Sequence, residues 1–241
     1  MRVIICENYE EVSKEAAKLV AGLVNLKPDC ILGLATGSTP VGMYNNLIEL
    51  YKKGELDFSQ VKSFNLDEYY PIAKSNENSY DYFMNDVLFK HININKENVN
   101  IPNGEAKDAD KECAEYEEKL NKAGGVDLQI LGIGVNGHIG FNEPDENLIA
   151  VTHKTGLTES TIEANARFFE SKDQVPTMAL TMGIASILKS KKIVLLANGS
   201  AKHNAVKALL NDEITTNNPA TMLKVHSDVV LICDKAAYYG E

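Results

Sequence analysis

Hydrophobic positions along this chain fall into two alternating kinds of segment. Short runs that are apolar throughout, at residues 30–34, 126–131, 192–197 and 229–233, read as strands covered on both faces. Residues 2–6 and 61–66 read as two further strands, the latter ending at Asp67-Glu68-Tyr69. Between them lie longer stretches with apolar residues every three or four positions. At residues 10–26, Val12, Ala16, Leu19, Val20 and Leu23 share one face of a predicted helix, which Pro28 and Asp29 break. The same spacing predicts helices at 41–53, 79–89, 108–123, 159–169 and 201–211. Residues 177–189 are predicted helical with some strand character at their start, and 144–158 irregular and polar.

Alternating strands and helices imply an α/β fold: a single doubly wound, mostly parallel sheet with helices on both faces, Rossmann-like in plan. No internal repeat, low-complexity segment or linker interrupts it, so residues 1–241 are expected to form a single domain. In such a sheet the C-terminal strand ends lie along one edge, where ligands bind. Four of those ends carry reactive groups. Thr36, Gly37, Ser38 and Thr39 stand between a strand and a helix, as a plain capped turn or as a cradle for phosphate. Asp67 is a turn cap or a base at the sheet edge. The run from Gly132 to Pro144 holds Asn136, His138 and Glu143 among four glycines. Lys202 follows the turn Asn198-Gly199-Ser200, as a surface cation or a second phosphate contact.

His138 is the natural acid–base candidate near neutral pH, and Glu143 lies close enough in sequence to orient its ring. Gly132-Ile-Gly134-Val-Asn-Gly137 matches the dinucleotide pattern G-x-G-x-x-G in letters alone. That pattern needs a helix to start at its last glycine and an acidic strand end about 20 residues on. Here His138, Gly140, Asn142 and Pro144 follow instead, so no nicotinamide cofactor is expected. The P-loop lysine is also missing after Thr39, which argues against a nucleoside triphosphate.

A net charge of −10 argues against nucleic acid and anionic membrane as partners, yet allows a small anionic substrate held by local cations and N–H groups. No stretch is long and apolar enough to span a bilayer, and Met1 to Glu7 does not read as a signal peptide. The four cysteines lack metal-ligand spacing and read as reduced thiols of a cytoplasmic protein. No metal and no cofactor is expected.

The motifs Leu34-Ala-Thr-Gly-Ser-Thr-Pro40, Ser63-Phe-Asn-Leu-Asp-Glu-Tyr69, Gly137-His-Ile-Gly-Phe-Asn-Glu-Pro144 and Asn165-Ala-Arg-Phe-Phe169 resemble, in order and spacing, the glucosamine-6-phosphate deaminases. The resemblance covers nearly the whole chain. It implies conversion of D-glucosamine 6-phosphate and water into D-fructose 6-phosphate and ammonium, without a cofactor. It makes His138 the ring-opening acid–base group, oriented by Glu143 and Asn136, and makes Asp67 the base that moves a proton from C2 to C1. It assigns the phosphate to Thr36, Gly37, Ser38, Thr39, Arg167 and Lys202, and leaves room for a lid at about 144–172.

Some members of that family carry aspartate where this chain has Asn136, which can orient but brings no negative charge. Members under allosteric control have a longer C-terminal part and a basic stretch after the Glu-Pro. The resemblance therefore implies no such activation here, and a monomer or small homo-oligomer. Two other readings remain open. One is a 6-phosphogluconolactonase-like hydrolase or another sugar-phosphate isomerase, which shares the fold and a Gly-His but not the Phe-Asn-Glu. The other is a catalytically inactive sugar-phosphate-binding regulator.

Overall fold

A computed structural model of the chain describes residues 1–166, 169 and 171–241. The strands are β1 (Arg2–Cys6), β2 (Ile31–Leu34), β3 (Lys62–Asn65), β4 (Asp67–Tyr70), β5 (Val99–Asn100), β6 (Leu128–Gly132), β7 (His153–Gly156), β8 (Met178–Thr181), β9 (Lys192–Ala197) and β10 (Val229–Asp234). The helices are α1 (Tyr9–Leu26), α2 (Val41–Lys52), α3 (Tyr80–Val87), α4 (Ala109–Lys122), α5 (Glu159–Asn165), α6 (Ile184–Leu188), α7 (His203–Leu210) and α8 (Lys235–Tyr239).

Seven strands form one sheet in the order β1-β10-β9-β6-β2-β3-β5, and every pairing in it is parallel. Helices flank it, so the expected α/β plan holds. The central strands are buried on both faces: Ile130, Leu131, Ile193, Val194, Leu195, Leu231 and Ile232 have no exposed surface. Truncating any one of them to alanine typically costs about 2–5 kcal/mol through lost transfer energy and a residual cavity. From β2 the chain winds outward to β3 and β5, then returns to β6 on the other side of β2. The strand order therefore reverses between β2 and β6, and a crevice opens at that point.

The helix starts follow local chemistry. Asn8, Ser79, Asp108 and Thr158 accept N–H bonds within the first turns of α1, α3, α4 and α5. The outer side of α4 is acidic, but Glu117 turns inward. Its Oε2 accepts bonds from Thr152 N and Oγ1 and from Ser186 Oγ, at 3.2, 2.7 and 2.7 Å.

The expectation of one sheet needs a correction. A second sheet, antiparallel and three-stranded, runs β4-β8-β7. Asp67 does not end the third strand: it begins β4, one residue after β3 stops, and pairs with Thr181, which pairs in turn with His153. Leu66 links the two sheets, donating to Leu34 O at 3.0 Å and accepting from Met182 N at 2.8 Å. The segment 177–189 is not one helix but strand β8 and then short α6, and the supposedly irregular 144–158 contains β7. Gly183 marks the switch, because a Cβ there would stand 2.3 Å from Val151 O. Uniformly buried residues such as Ala179, Leu180 and Ile187 blur the difference between periods of 2 and 3.6.

Candidate active site

The strand ends at the crevice converge as the parallel topology requires. A cavity of about 220 Å³ is lined by Thr36, Gly37, Ser38, Thr39, Asp67, Asn136, His138 and Lys202. Seven of these come from separate loops on β2, β6 and β9, and Asp67 is presented from β4. Glu143 stands behind His138 rather than on the cavity wall. Arg167 lies outside the described residues. A wider hollow of about 780 Å³ lies between α4 and residues 151–153, away from these groups.

The Thr36–Thr39 turn is braced from α1. Tyr9 donates its hydroxyl to Ser38 O at 3.0 Å and accepts from Gly42 N at 2.8 Å. Gly37 adopts φ +87°, a conformation that side-chain-bearing residues disfavour, and it turns the chain before the N-terminus of α2. On the β9 side, Gly199 N is held by both oxygens of Asp234 at 3.0 Å, which fixes the turn carrying Lys202. Positive helix ends and one lysine thus face the same volume.

The His138–Glu143 pair is built on the loop after β6. His138 Nδ1 lies 3.2 Å from Glu143 Oε2, and Asn136 Nδ2 donates to the same oxygen at 2.6 Å. Asn136 Oδ1 accepts from His138 N at 3.2 Å, so one amide positions both partners. Gly134 makes room for the imidazole, since a Cβ there would fall about 2.4 Å from Cε1. Thr181 Oγ1 accepts from Phe141 N at 3.1 Å, and Asn142 Nδ2 donates to Met182 O at 2.8 Å, pinning the loop to the end of β8. Burial works against the charge of Glu143. Bonds from His138, Thr161 and Asn136 outweigh it and hold the carboxyl down at about 2.

Asp67 is the opposite case. It is 6% exposed, and its Oδ2 lies beside Gly140 of the histidine loop. Burial, then the charge of neighbouring Glu68, pushes it up to about 8. Glu68 is itself pushed up to about 7 by burial, against three N–H donors from Tyr80, Asp81 and Tyr69 at 2.8–2.9 Å. Two carboxyl groups with proton affinities moved apart by their surroundings face or flank one cavity, the usual arrangement for acid–base chemistry.

Three lining residues were not found from the sequence. Tyr80 lines the cavity and stacks on Phe141 with centroids 6.1 Å apart and planes at 6°; Tyr69 packs against both rings, and Phe169 against Tyr69. Thr161 and Asn165 reach the cavity from α5. The signal for α5 was its helical period, with Thr161 and Asn165 one turn apart on one face.

Together the parallel sheet, two glycine turns, a lysine and a carboxylate-held histidine share one cavity with a buried aspartate, the layout of an α/β enzyme. The chain belongs to the glucosamine-6-phosphate isomerases/6-phosphogluconolactonase family, whose model matches residues 7–232. It is similar to the glucosamine-6-phosphate deaminase of Clostridium botulinum (strain Kyoto / Type A2), 58% identical over 237 residues, covering 98% of this chain and 97% of that one. A deaminase of the same name from Thermoanaerobacter sp. (strain X514) is also 58% identical, covering 98% and 94%. A solved structure of a monomeric glucosamine-6-phosphate deaminase superposes with a TM-score of 0.96 at 47% identity, over 98% of each chain. The 6-phosphogluconolactonase of Thermotoga maritima shares the fold, with a TM-score of 0.76 at 22% identity over 97% and 99%.

Proposed function

We propose that the chain converts D-glucosamine 6-phosphate and water into D-fructose 6-phosphate and ammonium. The observation that carries this reading is Asp67, a buried carboxyl of raised proton affinity facing the same cavity as the His138–Glu143 pair. Ring opening alone needs an acid–base group; moving a proton between two carbons needs a second base held on the substrate.

In this reading the sugar phosphate docks on Thr36, Gly37, Ser38, Thr39 and Lys202, with Arg167 a further contact. His138 takes the proton of the C1 hydroxyl and delivers one to the ring oxygen. The bond from C1 to the ring oxygen breaks, leaving an aldehyde. Glu143 and Asn136 hold the imidazole so that Nε2 meets the sugar. Ionised Asp67 then removes the C2 proton, the electron pair forms a double bond between C2 and C1, and the aldehyde oxygen takes a proton from the C2 ammonium, giving an enolamine. Asp67 returns a proton to C1, which leaves an imine at C2. Water adds to that carbon, ammonia leaves with a proton, and the C2 ketone remains.

We further read residues 1–241 as one working unit of a cytoplasmic monomer or small homo-oligomer. The likeness to a deaminase described as monomeric supports this. The test is stoichiometric. Glucosamine 6-phosphate is incubated with pure protein, and ammonium and fructose 6-phosphate are assayed together. Equal release supports the reading; release of neither overturns it.

A further inference from the structure

Glu143 has two oxygens with different neighbours. Oε2 faces the site and serves Asn136 and His138. Oε1 faces α5 and accepts the hydroxyl of Thr161. Thr161 is 6% exposed and Glu143 9%, so this contact is shielded from water. The hydroxyl is also held from its other side: Thr158, the N-cap of α5, donates to Thr161 Oγ1 at 3.1 Å. A hydroxyl has one proton to give, and accepting from Thr158 leaves Thr161 to give it to Glu143. The chain Thr158, Thr161, Glu143, His138 thus runs from the start of α5 to the imidazole without a break.

We propose that Thr161 is a positioning residue, which acts through Glu143 to hold His138 for ring opening and so makes that step depend on α5 being seated. The proposal rests on the deaminase reading for its catalytic consequence. It rests on geometry alone for the contact with Glu143. The effect follows from carboxylate chemistry. Thr161 stabilises the charged form of Glu143 from the side away from the sugar, which leaves Oε2 to orient the histidine. Without that donor a buried oxygen is left unsatisfied, and the carboxyl takes up a proton more readily. A protonated Glu143 no longer fixes the imidazole. Among the described residues the ionisable partner of Glu143 is His138; α5 adds the Thr161 hydroxyl and the loop after β6 adds the Asn136 amide. The Thr161 hydroxyl gives its proton to Glu143 rather than to the cavity, so substrate affinity should change little.

The test is Thr161→Val, which keeps the shape and removes the hydroxyl. With glucosamine 6-phosphate, kcat is expected to fall about tenfold while KM stays within about twofold. Thr161→Ser is expected to restore kcat. A second readout needs no turnover: the carboxyl 13C signal of Glu143, followed by NMR, titrates at higher pH in the valine variant. If the wild type releases no ammonium, the deaminase reading fails, and this titration still decides the contact. Should Thr161→Val not fold, Thr161→Ala takes the same readouts. A folded variant with wild-type kcat and an unmoved Glu143 titration overturns the proposal.

Discussion

His138 Nδ1 and Glu143 Oε2 stand 3.2 Å apart, five residues from each other on one loop. That contact sets which imidazole nitrogen is left for substrate. With Nδ1–H donated to the carboxylate, Nε2 becomes the site-facing base. Glu143→Gln keeps the shape but not the charge. It is expected to lower kcat roughly 100-fold, within the range for a general acid–base group, with KM little changed. Steady-state kinetics on glucosamine 6-phosphate checks this, and an unchanged kcat contradicts it.

Asn136 donates to the oxygen that His138 uses. Aspartate at this position would set a second carboxylate against Glu143 with a separation near 2.6 Å, and two such charges cannot both stay ionised. Asn136→Asp is therefore expected to move the 13C NMR titration profile of the Glu143 carboxyl to higher pH. A superimposable profile would show that the amide plays no electrostatic part.

Asp67 makes the rate depend on pH in the opposite range from Glu143. Its carboxyl, raised to about 8 by burial and by Glu68, must be ionised to act as a base. In substrate-free enzyme the basic form grows as pH rises towards 8. The expected kcat/KM therefore climbs through about pH 8 and levels only near pH 9. A plateau already complete at pH 5 would mean that Asp67 has an ordinary proton affinity.

The same burial carries a stability cost with a definite sign. Below about pH 4, Asp67 is protonated in both folded and unfolded chains. Between there and about pH 8 the folded chain keeps a proton that the unfolded chain has released, so this group's contribution to stability falls as pH rises. Asparagine has no such penalty. Asp67→Asn is expected to be more stable than wild type by about 1–3 kcal/mol at pH 8, with the gap closing towards pH 4. Thermal melts at several pH values test this, and a pH-independent difference contradicts it.

Lys202 shares the cavity with the Thr36–Thr39 turn. Removing a charge-assisted phosphate contact mainly weakens binding. Lys202→Ala is expected to raise KM about tenfold or more, with a smaller change in kcat. A normal KM would place the phosphate elsewhere.

Much of this plan was legible in the sequence, and for a physical reason. Strands such as β6 and β9 are buried on both faces, so they stand out as apolar runs between periodic helices. Loops that follow them must lie on one sheet edge, which is how Thr36, His138 and Lys202 could be brought together before any coordinates. Asp67 lies on the cavity but comes from β4 rather than from the end of the third strand. Its place in β4 depends on pairing with Thr181, more than 100 residues away, and short polar strands carry little periodic signal. Thr161 was invisible for a related reason. A threonine within a helix normally reads as a surface residue, and only its docking onto Glu143 gives it a role. Tyr80 entered through helix capping: Glu68 binds the first N–H groups of α3, a contact across 12 residues that composition does not report.

The most direct test of the whole account is the rate of Asp67→Asn on glucosamine 6-phosphate, measured beside the wild type with sugar-phosphate binding followed in parallel. The account predicts that wild type releases ammonium and fructose 6-phosphate in equal amounts. The variant should bind the sugar phosphate with similar affinity and lose activity by about 1,000-fold or more. Wild-type rates in the variant would contradict the account, because the proton transfer between C2 and C1 would then not pass through Asp67.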